Sequence, residues 1–296
     1  MSNKQQNETY DFFNSAANAW QQKATSRTYN VIENRHAAVQ EIMRNFQVGS
    51  TILDVGCGTG KLANESAKQG WKAIGIDFSS EMIDIAKKNS SDMGSAAQFI
   101  CTSIFDSALK HNSFDVISAQ GFIEYISLEQ LDQFFEFAFL SLKKGGSLAL
   151  GSRNRLFNLR SLNEFTKLEM QLGTIDSLLE ESCILQSSTT QRDAISRLNS
   201  QKWVYDQPSS HPRTEIEVGT RYQFSPGDLI TRLSKHGLIA SRICPVNFHA
   251  IPISLIKDEE FKNIHNNFAE MASQNWINLQ GLVPFSSSFV IEAKKA

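Results

Sequence analysis

Between residues 51 and 151 the chain alternates short apolar runs with stretches of helical periodicity. That alternation is the signature of βαβ units and a parallel sheet. Thr51–Val55, Lys72–Ile76, Ala97–Cys101, Phe114–Ala119 and Ser147–Gly151 read as five strands. Helices are predicted over Lys61–Gln69, from Ser80 to about Asn89, and after Ser127. The last of these is the best marked. Ser127-Leu128-Glu129-Gln130 fits a capping box. Leu131, Phe134, Phe135, Ala138 and Leu142 form one apolar stripe. Lys143 and Lys144 suit the C-terminal dipole, and Gly145-Gly146 predict the stop.

On either side the rhythm changes. Tyr10 to about Met43 reads as helical and carries Tyr10, Phe12, Phe13, Trp20 and Tyr29. Residues 156–220 hold helical stretches, Leu156–Leu185 and Arg192–Asn199, and a polar loop, Asp206–Arg213. This is too long for an αβ loop and predicts a substrate cap inserted over the active site. The alternation resumes at Ser225-Pro226-Gly227-Asp228, with an N-cap, Pro at the first helical position and an acid in the first turn. That helix is expected to end at His236-Gly237. Leu238–Phe248 reads as a sixth strand and Ser287–Ala293 as the last, with 249–284 a second insertion. The expected fold is α/β, a doubly wound Rossmann-like sheet with helical cap insertions. Its domain organisation would be a helical cap at 1–45, a core at 46–155 and 221–296, and the inserted cap at 156–220.

Composition narrows the function classes. With 296 residues, 41% hydrophobic and 20% charged, the chain is ordinary for a globular protein. A formal charge of −2 gives no global field toward nucleic acid or anionic membrane. No apolar run approaches the ~20 residues of a membrane span. The polar start, Met1-Ser2-Asn3-Lys4-Gln5-Gln6-Asn7-Glu8, does not read as a signal peptide. Cys57, Cys101, Cys183 and Cys244 are scattered without a C-x-x-C pair, which argues against zinc and disulfides and for the reducing cytoplasm. No metal site is expected, and the oligomeric state is left open.

The candidate chemistry begins where the first strand ends, at Asp54-Val55-Gly56-Cys57-Gly58-Thr59-Gly60. A dinucleotide fingerprint is G-x-G-x-x-G, whose turn cradles a pyrophosphate. Here the spacing is G-x-G-x-G, and the Asp54 carboxylate beside it would repel a pyrophosphate but suits an ammonium group. The second strand ends in Asp77, placed to accept both hydroxyls of a ribose. Ser79 is a candidate helix N-cap, and Glu81 lies in the first turn.

The Asp54–Gly60 stretch resembles the first motif of class I S-adenosylmethionine (SAM)-dependent methyltransferases, and the chain is similar to the small-molecule enzymes of the ubiquinone/menaquinone-biosynthesis type. The resemblance implies a seven-stranded sheet whose seventh strand is antiparallel, between five and six. It implies SAM as cofactor, with Asp54, Gly56, Gly58 and Gly60 at the methionyl tail, Asp77 at the ribose, and Phe78 and Met82 at the adenosine. It also implies that the N-terminal helical segment covers the cofactor, with Tyr10, Trp20 and Arg27 as contributors. After the third strand such relatives usually present an Asp to the adenine amine, whereas this chain has Thr102-Ser103-Ile104, so a Ser103 hydroxyl would stand in.

Ligands of such sheets bind outside the carboxyl ends of the strands. That rule adds Gln120 for the cofactor and Glu124, Tyr125, Arg153, Asn154 and His249 for the chemistry. Methyl transfer draws on proximity and desolvation, and a hydroxyl or amine acceptor must still lose a proton. His249 is the first candidate base, because an unperturbed imidazole titrates near neutrality, and Glu124 is the second. Arg153, Asn154, Tyr125 and, from the cap loop, His211 and Arg213 are candidates for the acceptor. Gln120-Gly121-Phe122-Ile123 is not the Asn/Asp-Pro-Pro-aromatic motif of DNA amino-methyltransferases. No Cys follows the fourth strand, as RNA cytosine-C5 enzymes require, and only Glu124 stands where protein arginine methyltransferases carry two acids. A small-molecule acceptor is therefore expected, a hydroxyl ahead of an amine. The alternatives are a non-catalytic SAM-binding protein and, against the Asp54 argument, a dinucleotide-dependent oxidoreductase.

Overall fold

A computed structural model describes residues 2–25, 31–208, 211–212, 218–219, 221–252, 255–256 and 258–295. Three helices precede the sheet: α1 (Ser2–Ser15), α2 (Ala17–Thr25) and α3 (Val31–Met43). The alternating core follows as β1 (Thr51–Val55), α4 (Lys61–Lys68), β2 (Lys72–Asp77), α5 (Ser80–Met93), β3 (Gln98–Cys101), β4 (Phe114–Gln120), α6 (Leu128–Ser141) and β5 (Leu142–Arg153). Next come α7 (Asn158–Ser161), α8 (Glu164–Leu172), α9 (Ile175–Ser187) and α10 (Gln191–Asn199). The chain closes with α11 (Pro226–Lys235), β6 (Leu238–Phe248), α12 (Glu259–Asn275) and β7 (Ser286–Lys295).

The seven strands form one sheet in the order β3-β2-β1-β4-β5-β7-β6. β7 runs antiparallel between β5 and β6, and the other neighbouring pairs are parallel. The order reverses between β1 and β4, and such a reversal opens a crevice at the carboxyl ends of the strands. Successive residues feed opposite faces, as strand geometry requires. Leu53, Ile117, Leu148 and Ile291 pack on the face covered by Leu131, Phe134 and Phe135 of α6. Ile52, Val116, Ala149 and Val290 pack on the face covered by Ala38, Val39 and Ile42 of α3. A strand buried on both sides must be apolar throughout, which is why β1 and β4 read as continuous runs.

Local signals set the element ends. Ser127 and Gln130 form the expected reciprocal capping box of α6, and Ser225 caps α11 by accepting from the Asp228 N–H. The expected C-terminus of α6 differs. The helix stops at Ser141, and Leu142 already pairs with Phe114 in the sheet. Lys143 Nζ binds Asp115 at 2.7 Å, and Gly145 (φ 75°) turns a bulge before the regular pairing resumes at Ser147. The two glycines thus shape a strand rather than stop a helix.

Described residues of 156–220 extend the α6 face. Leu178, Leu185, Ala194, Leu198 and Trp203 join the same apolar cluster as Leu229 and Ile243. Buried Glu181 ties this segment to α11, accepting from the Tyr205 and Ser225 hydroxyls at 2.6 Å each and from the Gly227 N–H at 2.8 Å. Burial pushes its carboxyl up to about 7.

Candidate active site

One cavity of about 400 Å³ lies at the carboxyl ends of the strands, over the β1–β4 reversal. Its floor is the glycine turn. The Gly56 and Cys57 N–H groups both donate to the Ile76 carbonyl, at 2.9 and 3.1 Å, which folds the turn onto β2. Gly56, Gly58 and Gly60 have φ of 67°, 52° and 77°, where an L side chain costs about 1–2 kcal/mol. Gly56 and Gly58 line the cavity, and Gly60 does not. A Cβ on Gly60 would stand 2.7 Å from the Phe99 ring and 2.8 Å from Ala86, so this glycine serves helix–sheet packing.

The acid-lined end holds Asp54 and Asp77. Asp54 is 4% exposed, and burial, reinforced by the Asp77 charge, pushes its carboxyl up to about 7. Asp77 accepts the Gly58 N–H at 2.9 Å and the Ser79 N–H at 3.0 Å, and burial raises its carboxyl too. Among the described residues no Lys or Arg pairs with either acid. Gln120 donates to the Ala149 carbonyl at 2.8 Å and leaves its Oε1 buried with no partner. A buried acceptor without a donor and two carboxylates without a cation are costly, so this part of the cavity is complementary to a cationic, hydrogen-bond-donating ligand. A Cβ at Gly151 would lie 2.1 Å from that Oε1, so glycine there is what admits the amide.

Beside the acids lie Phe78, Met82, Thr102, Ser103 and Ile104, all lining the cavity. Met82 is 2% exposed. Ser103 Oγ accepts the Phe105 N–H at 3.3 Å, capping the short 3₁₀ turn Ile104–Asp106, which leaves the hydroxyl proton and one lone pair. The N-terminal helices close this end. Trp20 packs over Gly58, Phe13 meets Tyr125 edge-on at 5.1 Å, and Tyr10 meets Phe78 edge-on at 5.6 Å from outside the cavity lining. Asn14 Oδ1 accepts the Ser79 hydroxyl at 2.9 Å, and Gln21 and Asn89 exchange two amide bonds at 3.1 Å. Arg27 and Arg213 lie outside the described residues.

Next to Gln120 and Gly121 the lining turns basic. Glu124 is 2% exposed and bridges two guanidinium groups: Arg35 Nη2 at 2.7 Å and Arg153 Nε at 3.0 Å. It also accepts the Arg153 N–H at 2.9 Å. Both carboxylate oxygens are therefore committed to holding arginines, which corrects the expectation of Glu124 as a base. Arg35, absent from the sequence-based candidates, is delivered by α3 and also reaches Ser288 Oγ at 3.1 Å. A Cβ on Gly121 would meet Arg35 Nη1 at 2.6 Å. The G-F-I-E-Y stretch after β4 leaves room for an arginine that only the tertiary fold brings there. Tyr125 and Arg153 line the cavity as expected.

His249 lines the cavity, stacked between Phe157 and His265 with both ring centroids at 4.7 Å. Burial, with His265 adding to it, lowers its pKa to about 3. The near-neutral imidazole expected from the sequence is thus replaced by a permanently neutral ring with a buried, unpartnered Nδ1. Asn154 is corrected outright. Its amide donates to the Val283 and Ser286 carbonyls at 2.6 and 2.8 Å and accepts the Leu156 N–H at 3.0 Å, so it fastens the loop after β5 and does not line the cavity. His211 lies elsewhere, in a shallow groove with Phe165, Leu168 and Pro212, and burial lowers its pKa to about 4. Among the described residues of 156–220 none lines the main cavity, so its cover is α1–α3 and not the insertion.

Residues 52–146 match the family model of a methyltransferase domain. The matched stretch runs from β1 to the start of β5, about a third of the chain. The chain is 29% identical over 131 residues to a ubiquinone biosynthesis O-methyltransferase of Actinobacillus pleuropneumoniae serotype 7, covering 43% of this chain and 56% of that one. A protein of the same description from Vibrio parahaemolyticus is 31% identical over 108 residues, covering 36% and 45%. The chain thus spans about half the length of the curated relatives it matches. Two solved structures share the fold: a SAM-dependent methyltransferase from Methanosarcina mazei (TM-score 0.56, 18% identity, 86% and 96% coverage) and the magnesium protoporphyrin IX methyltransferase of Synechocystis with bound S-adenosylhomocysteine (TM-score 0.57, 13% identity, 99% and 100% coverage).

The residues of this cavity fit SAM. Asp54 and the orphaned Gln120 Oε1 suit its ammonium group, the Arg35 guanidinium suits its carboxylate, and Asp77 suits its ribose hydroxyls. Met82 and Ile104 offer apolar walls to a purine.

Proposed function

We propose that the protein is a SAM-dependent methyltransferase that transfers a methyl group to an oxygen of a small-molecule acceptor. The observation that carries this reading is the mixed lining of a single cavity: buried Asp54 and half-buried Asp77 without cations, two arginines sharing Glu124, and aromatic rings. A zwitterionic cofactor and an oxygen-bearing acceptor complement these groups. The kinship with O-methyltransferases supports the choice of atom.

When bound, SAM supplies an electrophilic methyl on a good leaving group. The protein's part is to orient and to exclude water. Asp54, Gln120 and Asp77 would fix the cofactor under Trp20, while Phe13, Phe105, Phe122 and Tyr125 add aromatic lining, Tyr125 beside Arg153. His249 is too weak a base to take a proton from an ordinary alcohol, because its pKa is about 3. The Asn247 amide faces its Nε2 at 3.3 Å, so the proton sits on the unpartnered Nδ1, which donates to an oxyanion of the acceptor. The site therefore suits an acidic hydroxyl, phenolic or enolic.

Incubation with methyl-labelled SAM and a size-fractionated cell extract tests the proposal. Label is expected in small molecules, as an O-methyl product identified by mass. Label in macromolecules, or in N-methyl products alone, overturns it.

A further inference from the structure

The cavity lining around Arg153 has features that methyl transfer alone does not require. Glu124 is one carboxylate shared by two arginines, Arg35 and Arg153. No second carboxylate pairs with either guanidinium among the described residues. Arg153 meets the Glu124 side chain through Nε, lines the cavity with its side chain 32% exposed, and has Tyr125 as its aromatic neighbour. The neighbouring wall, where β6 ends and β7 begins, is neutral and polar: Asn247, His249, Ser287 and Ser288. Asn247 holds φ of 59°, a left-handed conformation that costs a non-glycine residue of order 1 kcal/mol or more. Its Nδ2 is pinned by Ser287 Oγ at 2.6 Å and lies 3.3 Å from His249 Nε2. A left-handed Asn247 held by its neighbours, beside an unpartnered buried imidazole nitrogen and the partly exposed Arg153 guanidinium, describes a prearranged receptor for an oxyanion.

We propose that the acceptor carries a carboxylate, separate from the oxygen that is methylated, and that Arg153 binds it with Asn247 and Ser287 alongside. The inference rests on the methyltransferase reading and names the substrate class of that site: a planar hydroxy acid, its ring against the aromatic wall and its acid group on Arg153. Arg35, engaged on the far side of Glu124 and 10% exposed, is left to the cofactor. No bond changes at Arg153, which acts as a substrate-binding residue. Its guanidinium offers a planar pair of donors that matches a carboxylate, a match that lysine reproduces only in part.

The test is calorimetric, on the full chain saturated with S-adenosylhomocysteine at pH 7. The probes are 4-hydroxybenzoate and its uncharged amide of the same shape, 4-hydroxybenzamide. The wild type is expected to bind the acid about tenfold or more tightly than the amide, as one charge-assisted contact provides. Arg153→Gln is expected to reduce that preference to about threefold or less, with amide and S-adenosylhomocysteine affinities unchanged, and Arg153→Lys to keep part of it. A preference that survives in Arg153→Gln overturns the proposal. So does equal weakening of acid and amide, which marks a merely structural role, and so does binding of neither probe by the loaded wild type. Failure of the wild type to bind S-adenosylhomocysteine sinks the methyltransferase reading itself, whereas cofactor binding without acid preference sinks only the carboxylate receptor.

Discussion

Asp54 makes cofactor binding depend on pH in a direction that can be worked out. In the free protein burial holds its carboxyl up to about 7, with Asp77 adding to the effect. A ligand ammonium in contact with it favours the ionised form and pulls that value back toward the ordinary range near 4. Binding therefore releases a proton wherever the solution pH lies between the two values. At pH 5, two units below the free value, about 99% of Asp54 is protonated, and removing that proton costs about 2.7 kcal/mol. S-adenosylhomocysteine should thus bind about 100-fold more weakly at pH 5 than at pH 8, with the affinity levelling off above pH 7. Asp77, raised in the same direction, steepens the slope. Titration calorimetry in two buffers of different ionisation enthalpy reads the proton directly: about one released at pH 5.5 and none at pH 8. Asp54→Asn should bind weakly and with a flatter pH dependence. An affinity constant from pH 5 to 8 with no proton exchange would refute the reasoning. The same shift has a stability sign. The folded, ligand-free protein keeps a proton that the unfolded chain loses near pH 4, so its stability falls between about pH 4 and 7 and is level above.

Other perturbations separate packing from binding. Glu124→Ala leaves Arg35 and Arg153 facing each other without a counter-charge and should cost about 3 kcal/mol in chemical denaturation, while Glu124→Gln, which keeps hydrogen-bond acceptors, costs less. Gly60→Ala combines a left-handed backbone with a clash on Phe99 and Ala86 and should cost about 3 kcal/mol of stability, whereas Gly58→Ala, with its nearest neighbour at 3.7 Å, should cost about 1 kcal/mol and act on cofactor affinity instead. Neither His36 nor His249, both lowered to about 3 by burial, should show an imidazole NMR titration midpoint between pH 5 and 8. Because both stay neutral when folded, their stabilising contribution is present above pH 6.5 and lost as the pH falls toward 3. Trp20→Ala should speed S-adenosylhomocysteine release in stopped-flow displacement, since its ring packs over Gly58.

The parallel core was legible because its central strands, β1, β4 and β5, are largely buried on both faces and the turns after β1 and β2 carry their own chemistry. Asp54, Gly56, Gly58 and Asp77 sit together because the rule that places ligands at strand ends is a property of the topology, not of side-chain detail. What the sequence concealed depends on distant partners. Arg35 sits on a helix whose register over β4 and β7 is a tertiary fact, so its meeting with Glu124 and Ser288 has no local signal. Glu124 and Asn154 looked available because their partners, Arg35 and the Val283 and Ser286 carbonyls, lie 89 to 132 residues away. His249 looked poised near neutrality because its ordinary value says nothing of Phe157 and His265 stacked on its faces. The insertion pointed to a cap by its length, but its apolar positions pack against the α6 and α11 side of the sheet. The N-terminal cover was expected from the resemblance alone, and of its aromatic residues Phe13 and Trp20 line the cavity while Tyr10 does not.

The central claim is that this cavity is built for SAM, and a crystal structure of the full chain with S-adenosylhomocysteine tests it most directly. The account predicts the ribose hydroxyls on Asp77, the ammonium group near Asp54 and Gln120, and the sulfur facing the space that leads to Arg153. A cofactor seated the other way round, with adenosine at Arg153 or Asp77 left without the ribose, would contradict it.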